Sequence, residues 1–108
     1  MVGTAFGTMK KKKLKKLFEE IRSLRERAGS VRSRELVAVA KKLGRYRIKT
    51  DGHPQYGTDL RSGRITIPSH SKPLKRRTTL SILDELETDI SYWHDRLSPK
   101  TAEPNGFG

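Results

Sequence analysis

Two of the chain's three histidines, His53 and His70, stand in the stretch "KTDGHPQYGTDLRSGRITIPSH", residues 49–70, among cations and turn-forming glycines. Free imidazole titrates near pH 6.5, so at neutral pH it both accepts and releases a proton. That property suits a phosphodiester in RNA, where the 2′-OH is already the nucleophile. A protein there has to hold the backbone for in-line attack, move a proton and offset charge growing on the phosphate. His53 is the candidate for the proton, with Lys49, Lys75 and nearby arginines holding phosphates. Two other readings of the same residues stand beside this one. His53 is a turn residue bonded to the backbone, or Asp51, His53 and Asp59 converge on a cation. Two-metal phosphodiester chemistry wants several carboxylates on rigid elements, whereas these sit on a turn and a strand end. His70 reads as a residue that orders the loop before Lys72, and His94 as a surface residue.

Charge decides which substrates such groups would meet. The chain carries 24 Lys+Arg against 12 Asp+Glu, net +12. Residues 10–34 and residues 35–80 each carry 11 basic and 3 acidic groups, while residues 81–108 carry 2 and 6. A positive field of this size concentrates polyanions and speeds their capture. An anionic membrane surface is the competing partner, but the basic centre of the chain reads as short strands and not as a long amphipathic helix. Cysteine is absent, which excludes disulfides and thiolate metal sites. No apolar run approaches the roughly 18 residues that span a bilayer, and no signal-peptide core follows Lys10–Lys13. The expected location is cytoplasmic. At 108 residues, 32% of them hydrophobic, the chain accommodates one small core with solvated extensions.

The elements that would position these groups follow from spacing. Residues 1–9, Gly-rich and aperiodic, are expected to be disordered. From Lys10, Leu14, Leu17, Phe18, Ile21 and Leu24 recur at helical spacing, giving a basic amphipathic helical extension over 10–30, with Gly29 suited to its left-handed end. The apolar face of this extension needs cover from its own chain, a second copy or a partner. A second helix is expected to start on Ser33 as cap, to bury Leu36, Val39, Ala40 and Leu43, and to stop at Gly44. "RYRIKT" alternates as a half-buried strand, with Tyr46 and Ile48 on one side and Arg45, Arg47 and Lys49 on the other. A Gly-bearing strand follows the 51–54 turn, and Pro54 predicts an edge position or a bulge for it. "RSG" turns into a third strand with Ile65 and Ile67 facing inward. Thr78 is expected to cap a final helix with Leu83, Leu86, Ile90, Trp93 and Leu97 in one stripe. Its acidic start (Asp84, Glu85, Glu87) complements the helix dipole. Residues 98–108 read as a flexible tail. The class is α+β: an α-β-β-β-α domain over 31–97 with a three-stranded antiparallel sheet, helices on one face, an extra N-terminal helix and an extended C-terminal one.

Residues 33–86 resemble the HicA toxin family, small ribonucleases of toxin–antitoxin pairs. "SRELVAVAKKLG" is similar to the family's opening helix, "DGHPQY" to its Gly-Ser-His motif with His53 on the active histidine, "GRITIPSH" to its strand running into Pro-x-His, and "KPLKRRTTLSIL" to its Lys-x-Leu-Lys-x-Gly-Thr-Leu-x-x-Ile-Leu segment. Three positions differ: Gly52 replaces the serine, Arg45 stands where an aromatic residue is usual, and Arg77 where glycine is common. The resemblance implies a double-stranded-RNA-binding-like fold, endoribonuclease activity on mRNA without a metal or other cofactor, His53 as the catalytic group, and silencing by a HicB-like antitoxin. The cations expected to grip RNA are Lys49, Arg64, Lys72, Lys75, Arg76 and Arg77. No membrane partner is expected, and the oligomeric state stays open. Two other functions fit the same residues: a non-catalytic RNA-binding module, in which Tyr56 either stacks on a base or packs beneath a helix, and an interaction protein acting through its N-terminal helix.

Overall fold

A computed structural model describes residues 9–48 and 51–97. The expectations for residues 1–8, the 98–108 tail and Lys49 lie outside them.

Helix α1, Lys11–Glu26, buries Leu14, Leu17, Ile21 and Leu24, and Phe18 is left at the margin, 40% exposed. Its apolar face is covered by its own chain, chiefly by the final helix. Met9, expected within the disordered start, is buried in the same cluster. The chain then turns through a 3-10 segment, Ala28–Ser30. Gly29 is not in the left-handed region, which among the described glycines only Gly44 and Gly63 occupy. The Ser30 hydroxyl instead bonds the Arg27 carbonyl at 3.0 Å.

Helix α2 spans Ser33–Lys42. Its cap position falls on Arg32, not Ser33, because the Ser33 hydroxyl is engaged by a distant loop. The orphan N–H of Arg32 is met by the carboxylate of Glu35 at 3.0 Å. Hydrogen bonds from the Arg27 side chain, then from the Arg32 backbone, hold the Glu35 carboxyl below the ordinary carboxylate range. Leu36, Val39, Ala40 and Leu43 are buried as their spacing predicts. The helix ends on Gly44 at φ +96°, and the indole N–H of buried Trp93 satisfies the Leu43 carbonyl at 2.7 Å.

Three short strands follow, β1 (Tyr46–Ile48), β2 (Gln55–Gly57) and β3 (Ile65–Thr66), antiparallel and in sequence order. β2 is thus central, not an edge. Pro54 lies one residue before it, where the missing N–H costs no ladder bond while its carbonyl accepts from Ile67 N–H at 3.1 Å. The register pairs Arg47 with Tyr56 and Tyr56 with Ile65, which puts all three on one face. Tyr56, Ile65 and Ile67 join the core from that face.

The phase of β1 is the reverse of the expected one. Arg45 is buried, 3% exposed, and Tyr46 lies outside, 48% exposed. Burying a guanidinium is tolerable only when its charge and donors are matched. Here Asp89, wholly buried, accepts from Arg45 Nε at 2.6 Å and Nη2 at 2.9 Å. The carbonyls of Tyr56 and Gly63 take the remaining fork at 2.9 and 3.2 Å. Arg61 adds a second cation on Asp89 at 2.8 Å. On the opposite face Ile48 folds over Gly57, where a Cβ would come within 2.7 Å of Ile48 Cδ1. Tyr46 reaches Asp59 at 3.0 Å, an acceptor that raises the phenol's pKa.

Helix α3, Arg76–Arg96, starts two residues before Thr78, with Lys75 at the cap position. Asp84, Glu85 and Glu87 therefore stand beyond the first turn. They pair laterally instead: Arg25 with Asp84 at 2.7 Å and Glu87 at 3.1 Å, Arg61 with Glu85 at 2.9 Å. Leu83, Leu86 and Trp93 are buried, with Ile90 and Leu97 packed at the edge. The result is an α+β fold of three helices and an open three-stranded sheet around one apolar cluster.

Candidate nucleic-acid interface

Antiparallel pairing brings residues before β2 beside residues after β3. Gln55 pairs with Thr66, and the Pro54–Ile67 bond continues the register one step further. His53 and His70 are therefore carried to the same end of the sheet. Their ring centroids are 6.3 Å apart with an interplanar angle of 59°, and both residues are exposed. Sequence spacing separates these histidines by a hairpin, and the hairpin is what unites them.

The loop holding His70 is strapped to the start of α2. Ser33 Oγ accepts the His70 backbone N–H at 3.1 Å and donates to the Pro68 carbonyl. Arg32 donates to the Ser71 carbonyl at 3.0 Å, and Leu74 N–H bonds the Val31 carbonyl at 2.9 Å. These bonds anchor a segment bounded by two prolines, Pro68 and Pro73, so the backbone beneath the imidazole is held from three points. The loop is ordered by Ser33, Arg32 and Leu74, with His70 contributing its backbone N–H, and its imidazole is the second of a pair.

The expected cations divide into groups. Lys72 and Lys75 line a cleft of about 420 Å³ together with His70. Arg76 and Arg77 line a separate depression beside Leu80 and Asp84. Arg64, on the β3 side of the sheet, bonds Gln55 Oε1 at 3.2 Å. Lys49 lies outside the described residues. Asp59 is tied to Tyr46, and among the described residues no three His, Asp or Glu side chains gather as a metal site. Tyr56 is buried, which leaves it unavailable for stacking on both faces. His94 is exposed, as expected.

A second groove, about 480 Å³, reaches His70 from the other side. It runs between α2 and the inner face of the sheet, with Arg34, Lys41 and Arg47 among its lining residues. Sequence reasoning placed none of these three at a site. The available signal was the spacing of Arg34, Val37, Ala38 and Lys41, which at i, i+3, i+4 and i+7 share a helical stripe beside the core-facing one.

One face thus carries an exposed imidazole pair, two lysines in an adjoining cleft and a groove lined by three cations. No protein-family model, no curated protein and no solved structure matches the chain.

Proposed function

We propose that this protein is a small endoribonuclease of the toxin type, cutting mRNA by histidine-assisted chemistry and held inactive by a HicB-like antitoxin. The α2-β1-β2-β3-α3 portion is read as a double-stranded-RNA-binding-like arrangement, which the element order and the antiparallel sheet support. The single observation that carries the nuclease reading is the approach of two exposed imidazoles, 6.3 Å between centroids, beside Lys72 and Lys75.

A phosphate lying across the two rings meets a base on one side and an acid on the other. One imidazole takes the proton of the 2′-OH as its oxygen bonds to phosphorus. The other, protonated, gives its proton to the departing 5′-oxygen as that P–O bond breaks. Protons and charges balance without a protein nucleophile, and the products are a 2′,3′-cyclic phosphate and a 5′-hydroxyl. Lys72 and Lys75 offset the charge that grows on the phosphoryl oxygens. The antitoxin and the mRNA preference rest on the family resemblance of residues 33–86.

The test is RNA cleavage by His53→Ala and His70→Ala proteins. Each is expected to lose about 10²–10⁴-fold in rate while keeping native thermal stability and RNA affinity. Cleavage undiminished in the His53→Ala protein would sink the assignment.

A further inference from the structure

The groove between α2 and the sheet is more than a margin of the histidine site. Its lining includes the apolar side chains of Val37, Ala38, Pro54, Tyr56 and Ile67, with the polar Ser33 and Ser69 among them. Its walls carry Arg34 and Lys41 on α2 and Arg47 on β1, and His70 stands at one end. Among the described residues none of those three cations forms a close ion pair, although Arg34 acts at longer range on the Glu35 carboxylate, whereas Arg25, Arg27, Arg45 and Arg61 all do. Its volume, about 480 Å³, falls within the roughly 300–1,000 Å³ of small-ligand sites. Ala38 lines the groove from α2 with a small side chain, so a leucine there would intrude on it.

Apolar floor and cationic walls make opposite demands on an occupant. A flat, weakly polar body must sit on Pro54, Val37 and the edge of Tyr56, while anionic groups face the guanidinium and ammonium groups above. An unpaired nucleotide meets both demands: its base covers the floor and its phosphates reach the walls. An acidic peptide satisfies the walls but leaves the floor to be covered by an additional apolar side chain, and a lipid surface does not enter a recess of this shape. We infer that the groove is a subsite for one unpaired RNA base, neighbouring the phosphate held between His53 and His70. This inference rests on the ribonuclease reading for what the substrate is, adds where the enzyme grips it, and implies a preference for single-stranded RNA. A paired base is not presented to such a groove, because its faces are stacked within the duplex.

The probe is a short, fluorescein-labelled single-stranded RNA with 2′-O-methyl groups throughout, which the proposed chemistry leaves uncut. Binding is read by fluorescence polarisation. Ala38→Leu, at an exposed helix position, fills the groove without removing a charge, and is expected to weaken binding about tenfold, the scale of one lost stacking contact. Removing the base at one position of the probe is expected to cost wild type a similar factor and to cost the Ala38→Leu protein nothing further, since both changes delete the same contact. Arg47→Gln is the second variant, expected to weaken binding and to flatten its salt dependence. Wild-type affinity in both variants, with no base position that matters, overturns the subsite, as does a groove variant that loses binding to an acidic peptide alone. The two readings part cleanly. Native RNA left uncut while the uncleavable probe still needs the open groove removes the nuclease and keeps the subsite. Native RNA cut equally well by wild type and by Ala38→Leu, with equal affinity, does the reverse.

Discussion

At the scale of single residues, the most consequential side chain is that of Arg45, at a position where the strand pattern assigns an outward side chain. Its guanidinium is buried with four donor contacts, and Asp89, contributed from 44 residues away, is its only carboxylate partner among the described residues. Desolvating two opposite charges roughly offsets their attraction, so the pair is weak evidence for stability in itself. Breaking it is another matter. Asp89→Asn leaves Arg45 charged, buried and without a counter-ion, and also strips Arg61 of one of its two acids. The expected cost is about 3–5 kcal/mol in denaturant unfolding, a large share of the ~5–15 kcal/mol that holds a small domain. The double variant Arg45→Met/Asp89→Leu is expected to recover most of that loss, because no charge is then stranded. An Asp89→Asn protein with the wild-type unfolding midpoint would show that Arg45 is not buried in solution. The same ion pair explains why β1 runs against its own pattern: "RYRIKT" offers Tyr46 and Ile48 as the apolar side, and what overrides that choice is a carboxylate on α3, 44 residues away.

Elements show where sequence reading succeeds and where it stops. The apolar faces of all three helices were legible, since Leu14, Leu17, Ile21 and Leu24, then Leu36, Val39, Ala40 and Leu43, then Leu83, Leu86 and Trp93 declare themselves by period alone and are buried. Helix ends were less so. Ser33 and Thr78 have the right hydroxyls for caps, yet Ser33 spends its own on Pro68 and His70, and α3 begins upstream of Thr78. Of two glycines assigned to helix ends, only Gly44 takes a positive φ, at +96° with Trp93 Cζ2 3.5 Å from where a Cβ would stand. Gly29 has ordinary backbone and open space around it. Gly44→Ala is therefore expected to cost about 1–2 kcal/mol, the penalty of a left-handed backbone with a Cβ. Gly29→Ala is expected to be neutral or to stabilise by about 0.4–1 kcal/mol through the unfolded chain. Thermal melts of the two variants decide it, and equal melting temperatures would contradict the difference in backbone. The histidine pair belongs to this scale too. Neither His53 nor His70 announced the other, because their meeting depends on the β2–β3 register, which a pattern of two short strands does not specify.

Across the whole molecule, positive charge is spread from one end of α3 to the other, and α3 measures the distance. Lys75 precedes its first turn and lines the cleft with His70, while Lys11 and Lys15 of α1 flank Ile90 and His94 toward its other end. Fifteen residues of helix separate Lys75 from Ile90, roughly 22 Å at 1.5 Å per residue. That span is nearly three Debye lengths at physiological ionic strength, where the length is about 8 Å. The α1 lysines therefore add almost nothing to the potential at the histidines, and under the proposed function they act only on RNA long enough to lie against both ends. A strand of about four nucleotides, the lower end of single-strand site sizes, is expected to bind the Lys11→Gln/Lys15→Gln protein as it binds wild type. A strand several times longer is expected to lose affinity in that variant. Lys72→Gln/Lys75→Gln is expected to weaken both strands, with the slope of log affinity against log salt falling by about 0.7 for each phosphate contact removed. Polarisation titrations of the two strands across a salt series separate these outcomes. If the α1 substitutions weaken the short strand as much as the Lys72/Lys75 pair does, the RNA path runs over α1, and the face built around His53 and His70 is not where the strand begins.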